Sequence, residues 1–276
     1  MAVELDIPPD VSDNLTPAAE DFLADVSESL NPRTVRAVML YGSSVSERVT
    51  ENSDVDVLVV LEPEVPDEVV DRARERHHRI ENEHFTERSA LGVFERWFQH
   101  QIGSVSNGNV CRADDVTRGS YHAIFGKSAL SYLFVPWRTI LKQKFDEGLF
   151  VYGDETTPEW DRVGRPSDRV HREMLRSYAS TLSLAVLQFP LFLTATPNAL
   201  YATMAYKKCV YNVSYYTGRT RFSDSFESIL RPFPEVLDLH KRFLRQREED
   251  ANDLVFALLA PVGITVIHFW ALWDLR

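Results

Sequence analysis

Hydrophobic residues in the first half of the chain fall into short continuous runs that are separated by polar turns. Ala37–Tyr41 and Val57–Leu61 are apolar runs of strand length, and Asn109–Arg112 and Leu149–Gly153 are shorter candidates. Runs of this length, bounded by turn residues, are typical of buried strands. A helical stripe precedes them and begins after Thr16, an N-cap residue followed by proline. The pattern predicts a small sheet with flanking helices.

The periodicity becomes helical after the acidic stretch Asp154–Pro166, whose proline and glycine content marks the predicted domain boundary. The helical segments that follow are Ser167 to about Gln188, Asn198–Tyr216, Phe222–Leu230 and Glu235–Asp250. The first is expected to break at Phe189–Pro190, and Gly218 is suited to end the second as its C-cap. We therefore predict an α+β domain, a short mixed sheet with flanking helices, over residues 1–155. An all-α helical bundle follows over residues 166–276.

The last apolar segment, Leu254–Trp273, is long enough to cross a membrane. It has 20 residues without Asp, Glu, Lys or Arg, which meets the length of a membrane span. Pro261 and Gly263 interrupt its middle, and an apolar helix can equally be the central member of a bundle. We favour a buried bundle helix and keep a C-terminal membrane anchor as the alternative.

Three other stretches carry local expectations. Asp67 to about His84 is rich in charge and predicts an exposed helix, on which His77 and His78 form a solvated pair. Thr117–Gly126 is expected to be a loop. Ser89–Ile102 fits either a helix or a strand.

Candidate chemistry is concentrated between the first two predicted strands. Asp54 and Asp56 are two residues apart at the start of an apolar strand, so their side chains point to one face. Two carboxylates held so close repel unless a cation lies between them, and Mg²⁺ takes carboxylate oxygens while it bridges substrate phosphates. The turn at Gly42–Ser43 offers backbone N–H groups and a hydroxyl to phosphate. The alternative is an ordinary strand start with two solvated acids.

The joint spacing of these residues resembles the signature of the DNA polymerase β-like nucleotidyltransferase superfamily. Gly42–Ser43 is followed by nine residues and then by Ser53-Asp54-Val55-Asp56 and an apolar strand. The resemblance implies that Gly42, Ser43 and Ser53 bind nucleotide, and that Asp54 and Asp56 are the catalytic metal ligands. It implies Mg²⁺-dependent transfer of a nucleoside monophosphate, with AMP from ATP as the leading case, to a hydroxyl with release of pyrophosphate. Glu47 departs from the pattern, because the family usually has glycine there.

A third carboxylate from a later strand usually completes such a site. Asp114 is the first choice because it ends a candidate strand, and Asp115 and Glu95 compete with it. Asp114 and Asp115 can equally be loop residues. Without a third acid, the domain would be a weak enzyme or a non-catalytic nucleotide-binding module.

The helical half has a looser resemblance of its own. Ala205–Arg219 is similar to a tyrosine-rich helix that ends in Thr-Gly in the C-terminal domain of aminoglycoside adenylyltransferases. The basic residues on and after this helix are candidates for contacting the triphosphate: Lys207, Lys208, Arg219 and Arg221. The expected acceptor is a small, aminoglycoside-like molecule. The enzymatic alternative is a protein hydroxyl, as in antitoxin-like nucleotidyltransferases that adenylylate a helical partner.

The net charge limits the classes of expected binding partner, and the cysteine content bears on disulfide formation. The chain has 30 basic and 41 acidic residues, a formal net charge of −11, which disfavours nucleic acid and anionic lipid and suits a cationic acceptor. Cys111 and Cys209 are far apart in a chain whose acidic N-terminus does not resemble an export signal, so a disulfide is not expected. We expect a cytoplasmic protein, and a homodimer remains open.

Overall fold

The computed structural model describes residues 2–42, 55–85, 108–126, 132, 135–191, 199–218, 225–248 and 253–275. The chain forms two compact units. The sheet unit comprises Met1–Ser131 and Leu141–Arg165, and the helical unit comprises Tyr132–Ile140 and Pro166–Arg276. The ambiguous segment Ser89–Ile102 lies outside the described residues.

Four strands form the sheet: β1 (Val35–Tyr41), β2 (Asp56–Leu61), β3 (Gly108–Arg112) and β4 (Leu149–Gly153). Their order across the sheet is β3-β2-β1-β4. β1 is antiparallel to both of its neighbours, whereas β2 and β3 are parallel. The predicted short mixed sheet is therefore confirmed, with a described strand at each of the four predicted positions.

Helices surround this sheet because its central strands are apolar on both faces. Almost every side chain of β1 and β2 is buried. Phe22 and Val26 of the second helix belong to the same core, and Thr16 caps that helix by accepting a hydrogen bond from the Ala19 N–H at 3.2 Å. The described helices of this part of the chain are α1 (Pro9–Ser12), α2 (Pro17–Ser29), α3 (Asp67–Phe85), α4 (Ala113–Thr117), α5 (Tyr121–Phe125), α6 (Trp137–Glu147) and α7 (Trp160–Val163). α6 begins directly after Pro136, and its residues are divided between the two units.

Two local predictions in the sheet unit are wrong. His77 is buried with its ring centroid 5.9 Å from that of Phe22, and only His78 is exposed. Adjacent helical residues point in different directions, so the apolar face of α3 takes in one histidine of the pair. The expected loop Thr117–Gly126 contains α5, whose Tyr121, Ile124 and Phe125 side chains are buried.

The helical unit is built around three long helices. Its described elements are a short 3₁₀ helix (Pro166–Arg169), α8 (Val170–Leu191), α9 (Leu200–Thr217), α10 (Phe226–Leu230), α11 (Leu239–Glu248) and α12 (Leu254–Asp274). α8, α9 and α12 pack against one another. Gly218 ends α9 in the left-handed conformation with φ +62°, which suits a residue without Cβ. α8 continues through the expected break at Phe189–Pro190 and ends at Leu191.

α12 is a continuous helix, although its sequence suggests an interruption at Pro261 and Gly263. Gly263 lies at a close helix contact. A Cβ on this residue would be 2.7 Å from Leu239 Cδ1 and 2.8 Å from Tyr206 Cε2. The glycine therefore permits close packing between helices rather than ending α12.

One face of α12 is buried against its neighbours, and the opposite face is apolar and exposed. The exposed side chains are Leu254, Val255, Leu258, Val262, Phe269, Leu272 and Trp273. Within the described residues, α12 alone is long and apolar enough to span a membrane, a test that core helices of soluble proteins also pass. The prediction of a bundle helix is met on one face only.

Candidate active site

Asp56 is the first residue of β2 and is paired with Tyr41, the last residue of β1. Its side chain is 27% exposed. Gly42 follows β1 with φ +88°, and a Cβ there would lie 2.4 Å from Asp56 Oδ2. Both the backbone conformation and the space therefore require glycine. The chain therefore passes directly beside the carboxylate.

Lys144 of α6 lies on the same carboxylate. Its Nζ is 3.8 Å from Asp56 Oδ2 and 3.7 Å from the centroid of the Tyr41 ring. Desolvation lowers the pKa of Lys144, and the charge of Asp56 opposes this shift. Burial raises the pKa of Tyr41 well above its usual value, and Asp56 adds to the increase. The phenol is therefore neutral, and it accepts a hydrogen bond from Asn109 Nδ2 at 2.7 Å.

The register of the sheet excludes Asp114 and Asp115 as partners of Asp56. β2 and β3 are parallel, with Val57 opposite Gly108 and Leu61 opposite Arg112. Asp56 is at the beginning of β2, whereas the two acids follow the end of β3, roughly 17 Å farther along the strands. There Asp114 forms an ion pair with Arg118, and Asp115 accepts a hydrogen bond from the Arg112 N–H. The prediction of Asp114 as the third metal ligand is wrong, because it placed the acid at the wrong end of its strand.

The end of β3 that does lie beside Asp56 begins with Gly108 and Asn109. Asn109 is buried, and its amide donates a hydrogen bond to the hydroxyl of Tyr41, the residue that is paired with Asp56. Sequence reasoning missed Lys144, Tyr41 and Asn109 as neighbours of Asp56. Parallel pairing of the second and third strands would have identified Asn109 from the sequence, since parallel strands begin at the same edge.

Several predicted site residues lie outside the described residues: Ser43, Ser53, Asp54, Glu95, Arg219 and Arg221. Lys207 and Lys208 are half-buried on α9 in the helical unit. Within the described part of the chain, no group of three or more His, Cys, Asp or Glu side chains could hold a metal ion. The described half of the predicted metal pair is thus Asp56, a hard oxygen ligand that is partly exposed beside Gly42 and suits Mg²⁺ chemically.

The sequence of this region matches a known family. The profile of the nucleotidyltransferase domain matches residues 21–94, a segment that includes β1, the Gly42 turn and β2. The chain contains a nucleotidyltransferase domain. This result confirms the predicted polymerase β-like superfamily and the prediction of a transferase enzyme.

Solved structures support the same fold. The fold of this chain resembles that of the spectinomycin adenyltransferase AAD(9) from Enterococcus faecialis, whose structure contains ATP and spectinomycin. The TM-score is 0.54 at 14% sequence identity, over 92% of this chain and 99% of AAD(9). At this identity the likeness describes the fold. No curated protein is significantly similar in sequence.

Proposed function

We propose that this nucleotidyltransferase transfers AMP from ATP to a hydroxyl group of a small, polycationic acceptor and releases pyrophosphate. The observation that carries the proposal is the partly exposed Asp56 carboxylate, which lies directly beside the Gly42 backbone. Both residues belong to the segment that matches the nucleotidyltransferase domain. Such a domain transfers nucleoside monophosphates in general. The choice of ATP and of the acceptor class is the finer part of the proposal.

Asp54 and Asp56 are the proposed ligands of Mg²⁺. A bound Mg²⁺ would neutralise the phosphates and lower the pKa of the attacking hydroxyl. The backbone at Gly42, with the hydroxyls of Ser43 and Ser53, would hold phosphate oxygens close to the two acids. The close approach of the Gly42 backbone to Asp56 supports this assignment, since a Cβ at Gly42 would lie 2.4 Å from Asp56 Oδ2.

The acceptor class is proposed from charge. The chain carries a formal net charge of −11, and such a surface attracts amines and disfavours nucleic acid. AAD(9), which has the same fold, is named for spectinomycin. Both observations support an aminoglycoside-like acceptor over the protein hydroxyl that antitoxin-like relatives of the superfamily use.

A non-catalytic nucleotide-binding module is the second candidate. Two observations favour it. Asn109, an amide, lies at the end of β3 that is nearer to Asp56, and the acid Asp114 follows the opposite end. Glu95 remains a candidate for the third acid. The domain limits of residues 1–155 and 166–276, a cytoplasmic location and a homodimer all stay predictions.

Pyrophosphate release from ATP with Mg²⁺ tests the proposal across a panel of aminoglycosides and spectinomycin. The wild type is compared with Asp54→Asn plus Asp56→Asn. The matched control is Asp71→Asn plus Asp114→Asn, which removes the same charge from exposed positions away from the site. Release that depends on the acceptor and is lost only in the Asp54/Asp56 variant supports the enzyme. ATP binding without release from any acceptor supports the non-catalytic module.

A further inference from the structure

Lys144 brings a positive charge to the atom that a metal ion would contact. Its Nζ lies 3.8 Å from Oδ2 of Asp56, the same oxygen that would be 2.4 Å from a Cβ on Gly42. The ammonium also lies over the face of the Tyr41 ring, 3.7 Å from Nζ to the centroid. Tyr41 is itself paired with Asp56 across β1 and β2. Two side chains of one strand pair therefore hold this lysine at the site.

The contact between Lys144 and Asp56 is electrostatic and weak. A separation of 3.8 Å is longer than a hydrogen bond, and both side chains are more than a quarter exposed, at 28% and 27%. Ion pairs of this exposure contribute little to stability. Lysine carries its charge on a flexible stem, so the ammonium can leave the carboxylate without disturbing the sheet.

We propose that Lys144 acts as a counter-ion of Asp56 in the metal-free protein and competes with a divalent cation for this carboxylate. The inference rests on the proposed role of Asp56 as a metal ligand. The ammonium neutralises Asp56 before loading and moves off when the divalent cation binds. Lys144 therefore weakens metal binding in the absence of nucleotide, since the ion must displace a charge already present.

Mn²⁺ binding to the nucleotide-free protein, measured by the decrease of the free-ion electron paramagnetic resonance signal, tests the inference. Lys144→Met and Lys144→Gln remove the charge and should bind Mn²⁺ roughly two- to fivefold more tightly than the wild type. Lys144→Arg keeps the charge and should bind like the wild type. Lys142→Met is the matched control, because Lys142 lies on the same helix but pairs with Asp146. Thermal melting in EDTA verifies that each variant is folded.

Three outcomes would overturn the inference. The neutral Lys144 variants bind Mn²⁺ no more tightly than the wild type, Lys142→Met gives the same gain, or no variant binds Mn²⁺ at all. The measurement needs neither ATP nor an acceptor. A gain in Mn²⁺ affinity without any pyrophosphate release would support the role of Lys144 and contradict only the proposed reaction.

Discussion

Two carboxylates, one in each unit, are paired with basic side chains in different ways. Asp56 in the sheet unit is partly exposed and has a lysine ammonium at 3.8 Å. Glu173 in the helical unit has no exposed side-chain surface, and its Oε1 accepts a hydrogen bond from Arg176 Nη1 at 2.9 Å. The first carboxylate is partly exposed to solvent, whereas the second is enclosed with its charge.

The partners of Glu173 form a fixed set. Arg138 Nη1 lies 3.8 Å from Oε1, and the backbone N–H of Thr139 donates to Oε2 at 3.4 Å. The Arg138 guanidinium also lies over the Trp137 ring at 4.0 Å from its centroid. Planar guanidinium groups are suited to such buried, hydrogen-bonded pairs, while lysine provides a mobile point charge. The comparison separates a structural carboxylate from one that is suited to bind a ligand.

The largest expected effect on stability is that of Glu173→Gln. Removing this charge leaves Arg138 and Arg176 near one another without the buried anion between them. Breaking a buried pair in this way costs about 3–5 kcal/mol. Urea denaturation followed by circular dichroism measures the loss, with Glu227→Gln on the exposed surface of α10 as the control. A loss below 1 kcal/mol would mean that Glu173 is not a structural carboxylate.

Buried histidines extend the comparison to pH. Burial lowers the pKa of His77 in the sheet unit and of His268 in the helical unit to about 4. In the unfolded chain these rings take up protons near pH 6.5, so the folded state resists protonation. The free energy of unfolding therefore does not depend on these two groups above about pH 6.5. It falls as the pH is lowered toward 4, by up to about 3 kcal/mol for each histidine. Denaturation at several pH values measures this slope.

Replacement of each histidine should change stability in opposite directions. Both ring nitrogens of His77 are buried and have no hydrogen-bond partner among the described residues, so His77→Leu should raise stability at pH 7 by about 1 kcal/mol. His268 contacts the Ile264 carbonyl at 2.9 Å and Ser177 Oγ at 3.1 Å. His268→Leu removes both contacts of a buried polar ring and should lower stability by about 1–3 kcal/mol. A loss of stability in both variants would contradict the distinction.

Sequence patterns predicted the elements of this fold better than their spatial relations. Strand-length apolar runs identified β1 and β2, and Gly218 identified the end of α9, because these signals are local. Asp114 was assigned to the site because it follows a strand. Which end of β3 lies beside Asp56 depends on whether the strands are parallel, and that property is not local. Lys144 likewise comes to Asp56 from a helix 88 positions later in the chain.

The sequence likewise does not predict whether a single residue within a helix, such as Gly263 or His77, lies against another element. Pro261 and Gly263 read as an interruption of the last helix, yet Gly263 lies against Leu239 and Tyr206. The pair His77–His78 reads as solvated, because periodicity cannot say where the apolar face of a highly charged helix ends. In both cases the deciding contact comes from another element.

A loss smaller than that of Glu173→Gln is expected from Gly42→Ala. The substitution imposes φ +88° on an alanine and places its Cβ 2.4 Å from Asp56 Oδ2. We expect a loss of about 1–3 kcal/mol and weaker Mn²⁺ binding, because the carboxylate must move. Gly126→Ala is the matched control, since Gly126 has φ +60° and no atom of the described residues lies within 4 Å of its added Cβ. An equal effect in both variants would mean that backbone strain alone, and not the carboxylate, requires glycine at Gly42.

The smallest expected change in stability is that of Asp56→Asn. The ion pair with Lys144 is partly exposed and longer than a hydrogen bond, so its loss should alter the free energy of unfolding by less than about 1 kcal/mol. Mn²⁺ binding and pyrophosphate release should nevertheless be lost, because the amide no longer offers an anionic oxygen. A stability loss as large as that of Glu173→Gln would make Asp56 a second structural carboxylate. In that case Lys144 would hold the fold of the sheet unit rather than a position that a metal ion can take over.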